Sequence, residues 1–316
     1  MSAIAAGTPA SADFATPRVR RFEWLHVLGS AARTSRGICG LTLTGIVVAI
    51  AVIGPFVTPY PPDAFQVAPF APPSSQALLG GDILGRDVLS RVLAGGWQLL
   101  LLAAIATALG IAVGTAAGMA AAYLPGWRDS VIMRGVDVLL AFPQLVFALL
   151  LISVLGNQLW LLVLAVGLSH APQVARVMRS TSLDVSERDY VKAVAITGVR
   201  PWKVMSREIL PNLVTPLMVE TGLRMTYSII IMSGLAFLGF GFQPPNPTWG
   251  YMIRENEIGV TANPWGVVAP AILLALLTIG VNTFTDAVTR VSLGVERAET
   301  AIVSEALAAD ETVTDQ

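Results

Sequence analysis

The stretch VLAGGWQLLLLAAIATALGIAVGTAAGMAAAYLPGW, residues 92–127, carries no charged side chain. A helix rises 1.5 Å per residue, so about 20 apolar residues cross a bilayer core. The stretch is too long for one crossing. It reads as an interfacial approach through about Gln98, followed by a span over 99–123. A helix that is apolar on every side belongs in a membrane or in a deep core, not on a soluble surface.

The rest of the chain agrees with that reading. Of 316 residues, 54% are hydrophobic and 13% are charged. A soluble domain carries about 25% charged residues. So few charges cannot cover a soluble globule of this size, and disorder needs the opposite balance. The class is an all-α polytopic membrane protein. A net charge of -1 offers no electrostatic basis for binding nucleic acid. The one cysteine, Cys39, excludes a disulfide framework, and the two histidines, His26 and His170, are far apart. Neither Lys192 nor Lys203 follows a glycine, so no Walker-type phosphate loop is present. Any nucleotide hydrolysis serving this protein is done by another chain.

Other apolar stretches add spans over 37–58, 136–155, 159–174, 213–235 and 265–285, which makes about six. With six spans both ends of the chain lie on one side. That side collects Arg18, Arg20, Arg21, Arg33, Arg36, Arg128, Arg134, the basic residues of 176–211, Arg290 and Arg297. Arg86, Arg91 and Arg254 fall on the other side, and Arg224 falls within the fifth span. By the positive-inside rule both termini are cytoplasmic and the protein is multi-pass in the cytoplasmic membrane. The organisation is therefore a cytoplasmic tail over 1–36, a transmembrane region over 37–295 and an acidic cytoplasmic tail over 296–316. Residues 1–17 are expected to be disordered.

Between the fourth and fifth spans lies a long loop, 176–211. Ser186 is placed to cap a helix, with Asp189 three residues on as a capping-box partner. Residues 189–197 form a short amphipathic helix that Gly198 ends, and Pro201 opens a second helix. The expected product is a compact helix pair under the membrane. It reads either as an element that transmits motion from a soluble partner or as a solvated connection.

This loop resembles the EAA loop of ABC-importer permeases, through Ala193, Gly198, Leu210 and Pro211. It departs from that pattern at Lys192, at Val194 and at Glu208, with Ile209 next door. More motifs follow the dipeptide and oligopeptide permeases of the "C" subunit type. These are 79–91 (LGGDILGRDVLSR), 134–143 (RGVDVLLAFP), 237–250 (FLGFGFQPPNPTWG), and Asn282, Asp286 and Arg290 at four-residue spacing. The resemblance runs in order from about residue 37 to 295. It implies a type I ABC importer fold and a transport subunit with no catalysis of its own. It also implies a heterodimer with a second permease, two ATPase subunits that use ATP and magnesium, and an extracytoplasmic binding protein. No cofactor is bound by this chain. Implied ATPase-docking residues are Asp189, Tyr190, Lys192, Ala193, Gly198, Val199, Leu210 and Pro211, within a coupling loop over 184–211.

Remaining polar residues carry two readings each. Asp82, Arg86, Asp87 and Arg91 pair locally and cap the following helix, or Asp82, Arg86 and Asp87 join Gln243 and Trp249 in contacting the binding protein. Glu220 and Arg224 lie one turn apart and can pair. A lone charge at mid-membrane costs about 2.5–3.5 kcal/mol. They are either a neutralised pair or, with Met232, part of the translocation lining. A peptide carries an ammonium and a carboxylate, so both signs are tolerable there. His170 reads as structural, and Asp137 is expected to pair with Arg134. Gly110, Gly114 and Gly118 form one small face for close helix packing, within the chain or in a dimer. Rival classes fit less well. A secondary transporter has no use for the 189–211 helix pair, and a membrane enzyme needs a metal or nucleophile constellation that the scarce His and Cys do not supply.

Overall fold

The computed structural model describes residues 23–124, 126–242 and 244–294. The expected disordered stretch 1–17, Arg18, Arg20, Arg21, Gln243, Arg297 and the acidic tail over 296–316 lie outside them.

The described residues form one helical bundle. Helix α1 (Glu23–Arg33) leads into α2 (Ser35–Ile53). A short α3 (Val88–Ala94) and the long α4 (Trp97–Tyr123) are separated by Gly95 and Gly96. Then come α5 (Trp127–Leu140), α6 (Gln144–Leu155) and α7 (Leu159–Ser186). Two small helices, α8 (Asp189–Ile196) and α9 (Pro201–Val204), precede α10 (Val214–Phe237). The described chain closes with α11 (Trp249–Asn256) and α12 (Trp265–Leu293). Gly40 of α2 meets Phe284 of α12 while Gly280 meets Thr44, so that pair is antiparallel. Gly110 meets Gly167 and Gly118 meets Ala175, so α4 and α7 run parallel. Residues 187–212 therefore form a knob at one end of the bundle. Residues 57–87 and 244–264 form a plug at the other.

The glycine face packs within the chain. A β-carbon on Gly114 would sit 2.5 Å from Cβ of Val174 and 2.6 Å from the Ala171 carbonyl oxygen. These small residues let α4 and α7 approach closely, which supplies van der Waals contact where lipid removes the hydrophobic drive. Around that seam lies the main core, with Leu99, Ala106, Leu162, Ile229 and Leu235 buried.

Among the described residues four helical stretches are long and apolar enough to cross a membrane: Ser35–Phe56, Val88–Tyr123, Leu159–Ser186 and Trp265–Ser292. The stretch expected to be one span over 136–155 is instead broken. Helices α5 and α6 meet at 91° and make a fifth crossing if counted together. The cause is Pro143, which has no N–H to continue the ladder and disfavours helix at Phe142 before it; its backbone is extended, with ψ 132°. Helix α10, which carries Glu220 and Arg224, packs on α4 and α12 and is not among these stretches.

Three further expectations change. Helix α7 does not stop at 174. It continues past Pro172 to Ser186, so much of the loop expected over 176–211 is helix. Ser186 ends that helix instead of starting the next, and its hydroxyl donates to the Leu183 carbonyl at 2.9 Å. Residues 23–33, expected within a tail, form α1, which packs Ala31 against α12.

Candidate functional site

The knob is built on a buried apolar base. Val191 of α8, Val204 of α9, Ile209 and Leu213 pack with Val174, Met178 and Val185 of α7 in a second core. Helix α8 ends at Gly198, whose φ of +78° suits glycine and strains other residues. A β-carbon there meets open space, so conformation alone demands the glycine. Pro201 begins α9, which widens into a π turn over Met205–Ile209 before the turn at Leu210–Asn212. Asp189, Tyr190, Lys192, Ala193, Gly198, Val199 and Pro211 are exposed, and Leu210 is half-buried. Lys192 also edges a cleft shared with Tyr123, Ser186 and Ala195. Beside them stand two more exposed apolar side chains, Ile196 at 86% and Trp202 at 57%. The Lys203 ammonium lies 5.7 Å from the Trp202 ring centroid.

Inside the bundle, Arg224 Nε lies 3.1 Å from Glu220 Oε2, as the one-turn spacing predicts. Arg224 also donates to Gln173 Oε1 at 3.2 Å and lies 5.3 Å from the Tyr227 ring centroid. Both charged side chains are about nine-tenths buried, and Tyr227 is exposed. Met232 does not belong with them. It is fully buried in the main core, because α10 turns that position towards α4 and α7. His170 is fully buried too, placed between Gln144 and Ser228. Asp137 pairs with Arg176 at 2.7 Å, both exposed, and not with Arg134; the break after α5 lays that helix across α7. Nearby, Asp129 accepts from Arg179 through both carboxylate oxygens.

At the plug, the local-pairing reading of Asp82, Arg86, Asp87 and Arg91 holds and the partner-contact reading does not, because these side chains and Trp249 are buried. The Asp82 carboxylate accepts from the backbone N–H groups of Leu84 and Arg86, from Arg86 Nε at 2.6 Å and from Arg91 Nη1. Both arginines also reach Glu255 of α11, at 3.0 and 2.8 Å. Asp87 caps α3 through the N–H of Ser90 at 2.8 Å. Trp249 is 0% exposed. Asp82, Arg86, Asp87 and Trp249 thus hold the plug together and offer no contact surface in this conformation. Glu255 was not legible as their partner, although one signal existed. With Asp87 committed to a cap, two arginines shared a single aspartate. Asn256 and Asn263 were likewise missed; they bond to Ile83 N–H and to the Leu79 and Gly81 carbonyls. Burial, and then the Glu255 carboxylate, push the neighbouring Tyr251 hydroxyl above its ordinary range. Among the described residues no group of His, Cys, Asp and Glu is placed to hold a metal ion.

The family model described as "Binding-protein-dependent transport system inner membrane component" matches residues 110–292, from mid-α4 into α12. The chain belongs to this family. It is a multi-pass inner-membrane component of a transport system, the permease subunit of an ABC importer and not an enzyme. Permeases of this family work with substrate-binding and ATPase components. Among its relatives is the glutathione transport system permease protein GsiD of Pectobacterium atrosepticum. It is 31% identical over 288 residues, covering 90% of this chain and 94% of that protein. GsiD of Shigella sonnei is 33% identical over 271 residues, 84% and 86% of the two chains. A putative peptide transport system permease protein of Brucella suis is 32% identical over 248 residues, 78% and 83%. A solved inward-facing structure of the MetNI methionine ABC transporter matches with a TM-score of 0.47 and 17% identity, over 63% of this chain and 96% of that one.

Proposed function

We propose that this permease imports peptides or glutathione-like peptides as half of a passage completed by a second permease, and that its knob seats on a cytoplasmic ATPase subunit. ATP and magnesium act in the two ATPase subunits, and an extracytoplasmic binding protein delivers the solute. The names of the relatives support the solute class. The observation that carries the coupling role is the knob itself. Tyr190, Ile196, Val199 and Trp202 are exposed apolar side chains around the Gly198 turn, on a base locked to α7. An exposed apolar patch on a rigid support is the kind of surface a protein partner covers. Asp189, Lys192, Ala193, Leu210 and Pro211 share this knob and belong to the same docking surface.

Charge supports the orientation. Arg33, Arg36, Arg128, Arg134, Arg188, Arg200, Lys203, Arg207 and Arg290 gather at the knob end, while Arg86 and Arg91 at the plug end are consumed in buried pairs. The knob end is then cytoplasmic, and so are both termini. Glu220 and Arg224 are the lining residues of this reading, carrying both charges that a zwitterionic solute requires; Met232 is not one of them.

Replacing Gly198 by valine tests the knob. A β-branched residue at that φ costs about 1–3 kcal/mol and reshapes the turn. The expected result is loss of ATPase subunits from the purified complex, or loss of solute-stimulated ATP hydrolysis. Full assembly with unchanged stimulated hydrolysis rejects the docking assignment.

A further inference from the structure

A continuous line of side-chain hydrogen bonds crosses the bundle. It starts at Gln144, the first residue of α6 and the one directly after Pro143. The Gln144 amide nitrogen lies 2.6 Å from Gln173 Oε1, 3.2 Å from the Ser169 carbonyl oxygen and 3.3 Å from His170 Nδ1, all on α7. From the far side of the imidazole, Nε2 lies 3.0 Å from Ser228 Oγ on α10. That hydroxyl lies 2.8 Å from Thr107 Oγ1 on α4. Through Gln173 Oε1 a second branch reaches Arg224 and Glu220.

Counting hydrogens gives the line a direction. Two fixed acceptors face the amide nitrogen, the Ser169 carbonyl and Gln173 Oε1, which Arg224 also holds as an acceptor, so a flipped Gln144 amide would set oxygen against oxygen. Gln173 Oε1 takes the nearer hydrogen, and Ser169 and His170 Nδ1 compete for the other. With Nδ1 accepting, the imidazole hydrogen sits on Nε2 and is donated to Ser228. The Ser228 hydroxyl then donates to Thr107, whose own hydrogen points at Met225 Sδ, 3.8 Å away. In that tautomer every donation along the His170 branch runs away from Gln144, whereas on the other branch Arg224 donates back to Gln173 Oε1. Aligned chains of this kind act as a unit, because each bond polarises the next.

The place where the line begins matters mechanically. Among the described residues, the 91° break between α5 and α6 is the sharp bend between the paired helices of a span. Helix α6 buries Ala148 and Ile152, while Leu145, Val146, Leu150 and Val154 are exposed. A movement of the knob reaches α7 directly, since Val191, Val204 and Ile209 pack on it. Any shift of α7 against the elbow strains the Gln144 amide, the first polar tie beyond the break.

We infer that Gln144 is a positioning residue of the transport cycle. Its amide latches the α5–α6 elbow to α7, α10 and α4 in the conformation seen here, and the latch opens when the passage switches to its other state. This rests on the importer reading.

The test uses the complete transporter, with its partner permease, ATPases and binding protein, in proteoliposomes. Gln144→Leu keeps the bulk and removes every polar atom. It is expected to raise ATP hydrolysis without the binding protein about fivefold, the factor one neutral hydrogen bond gives a two-state equilibrium. The stimulated rate stays at the unsubstituted level. Ser228→Ala cuts the line further along and moves the basal rate the same way, while Ser228→Thr, which keeps the hydroxyl, restores it. The Gln144→Leu, Ser228→Ala double variant does no more than the larger single, because both cut one line. A merely structural role lowers assembly and both rates together. That outcome, an unchanged basal rate or additive effects overturns the proposal. Distances between spin labels at Val146→Cys and Ser180→Cys, with Cys39→Ser, read the latch without reference to transport. They broaden in Gln144→Leu if the latch exists. If the unsubstituted complex shows no ATP-driven uptake, the importer reading fails separately.

Discussion

The indole N–H of Trp249 donates to the carbonyl oxygen of Val92 at 2.9 Å, although the two residues are 157 positions apart. Val92 lies in the last turn of α3, where carbonyls have no helical donor because Gly95 and Gly96 interrupt the ladder. The indole supplies one, and its ring covers Gly96 so closely that a β-carbon there would fall 2.5 Å from Cζ2. One side chain therefore splices the plug to the start of α4. Trp249→Phe keeps the ring and strands the buried carbonyl, at a cost of about 1–3 kcal/mol. The expected result is a lower unfolding midpoint in detergent, followed by fluorescence of the remaining tryptophans. An unchanged midpoint shows that the carbonyl needs no donor.

Close packing of α4 on α7 makes a second expectation. Gly114→Val forces a branched side chain into a gap already bounded by Val174 and the Ala171 backbone. Overpacking of this kind costs about 1–3 kcal/mol, and more where backbone sets the limit. The same change at Gly45, which faces no atom within 4 Å, is expected to leave stability nearly intact. Comparing the two in one thermal unfolding series separates packing from the general cost of removing a glycine. Equal losses at both positions count against the seam.

Those two sites also mark what the sequence makes legible. The glycine face was readable because helical spacing alone puts Gly110, Gly114 and Gly118 together, and the knob was readable because Gly198 and Pro201 are local signals. The elbow was visible only as Pro143 inside an apolar run, and hydropathy does not register a bend. Local pairing of Asp82, Arg86 and Arg91 and the Asp87 cap were readable from their spacing, but the rest of the cluster was hidden for another reason. Their partner Glu255 sits on a distant helix, and no local pattern reports a pairing across 170 residues. The Gln144–His170–Ser228–Thr107 line combines single polar residues from four helices, each of which looks incidental in its own stretch.

The plug cluster yields an asymmetric prediction. Asp82 accepts four hydrogen bonds, two of them from arginine side chains, while Glu255 is 11% exposed at the edge. Asp82→Asn leaves Arg86 and Arg91 buried with one carboxylate between them. Removing one member of a buried ion pair costs about 3–5 kcal/mol. Glu255→Gln is expected to cost less, because water reaches that side and Asp82 stays in place. Protease accessibility of 57–87 in the intact membrane reads this directly: cleavage increases strongly for Asp82→Asn and modestly for Glu255→Gln. The reverse order removes Asp82 from the centre of the cluster.

The last expectation concerns Glu220 and Arg224, and it turns on a difference between a pair and its halves. Paired, the two side chains neutralise each other, and Gln173 takes one further guanidinium hydrogen. Glu220→Gln leaves a buried cation with an amide and the Tyr227 ring. Arg224→Gln leaves a buried anion beside Gln173, whose Oε1 already faces that way. Each single change is expected to cost about 3–5 kcal/mol, with Arg224→Gln the worse, because a cation retains its aromatic contact and an anion gains nothing. Changing both to glutamine removes the charges together, so the double variant is expected to be more stable than either single one. Transport separates the remaining alternatives. If the pair serves only to neutralise, the double variant imports at the unsubstituted rate once it folds. A lining role makes it fold normally and lose uptake of zwitterionic peptides relative to uncharged analogues presented by the same binding protein. A double variant as unstable as the two singles summed rejects the pairing on which both alternatives depend.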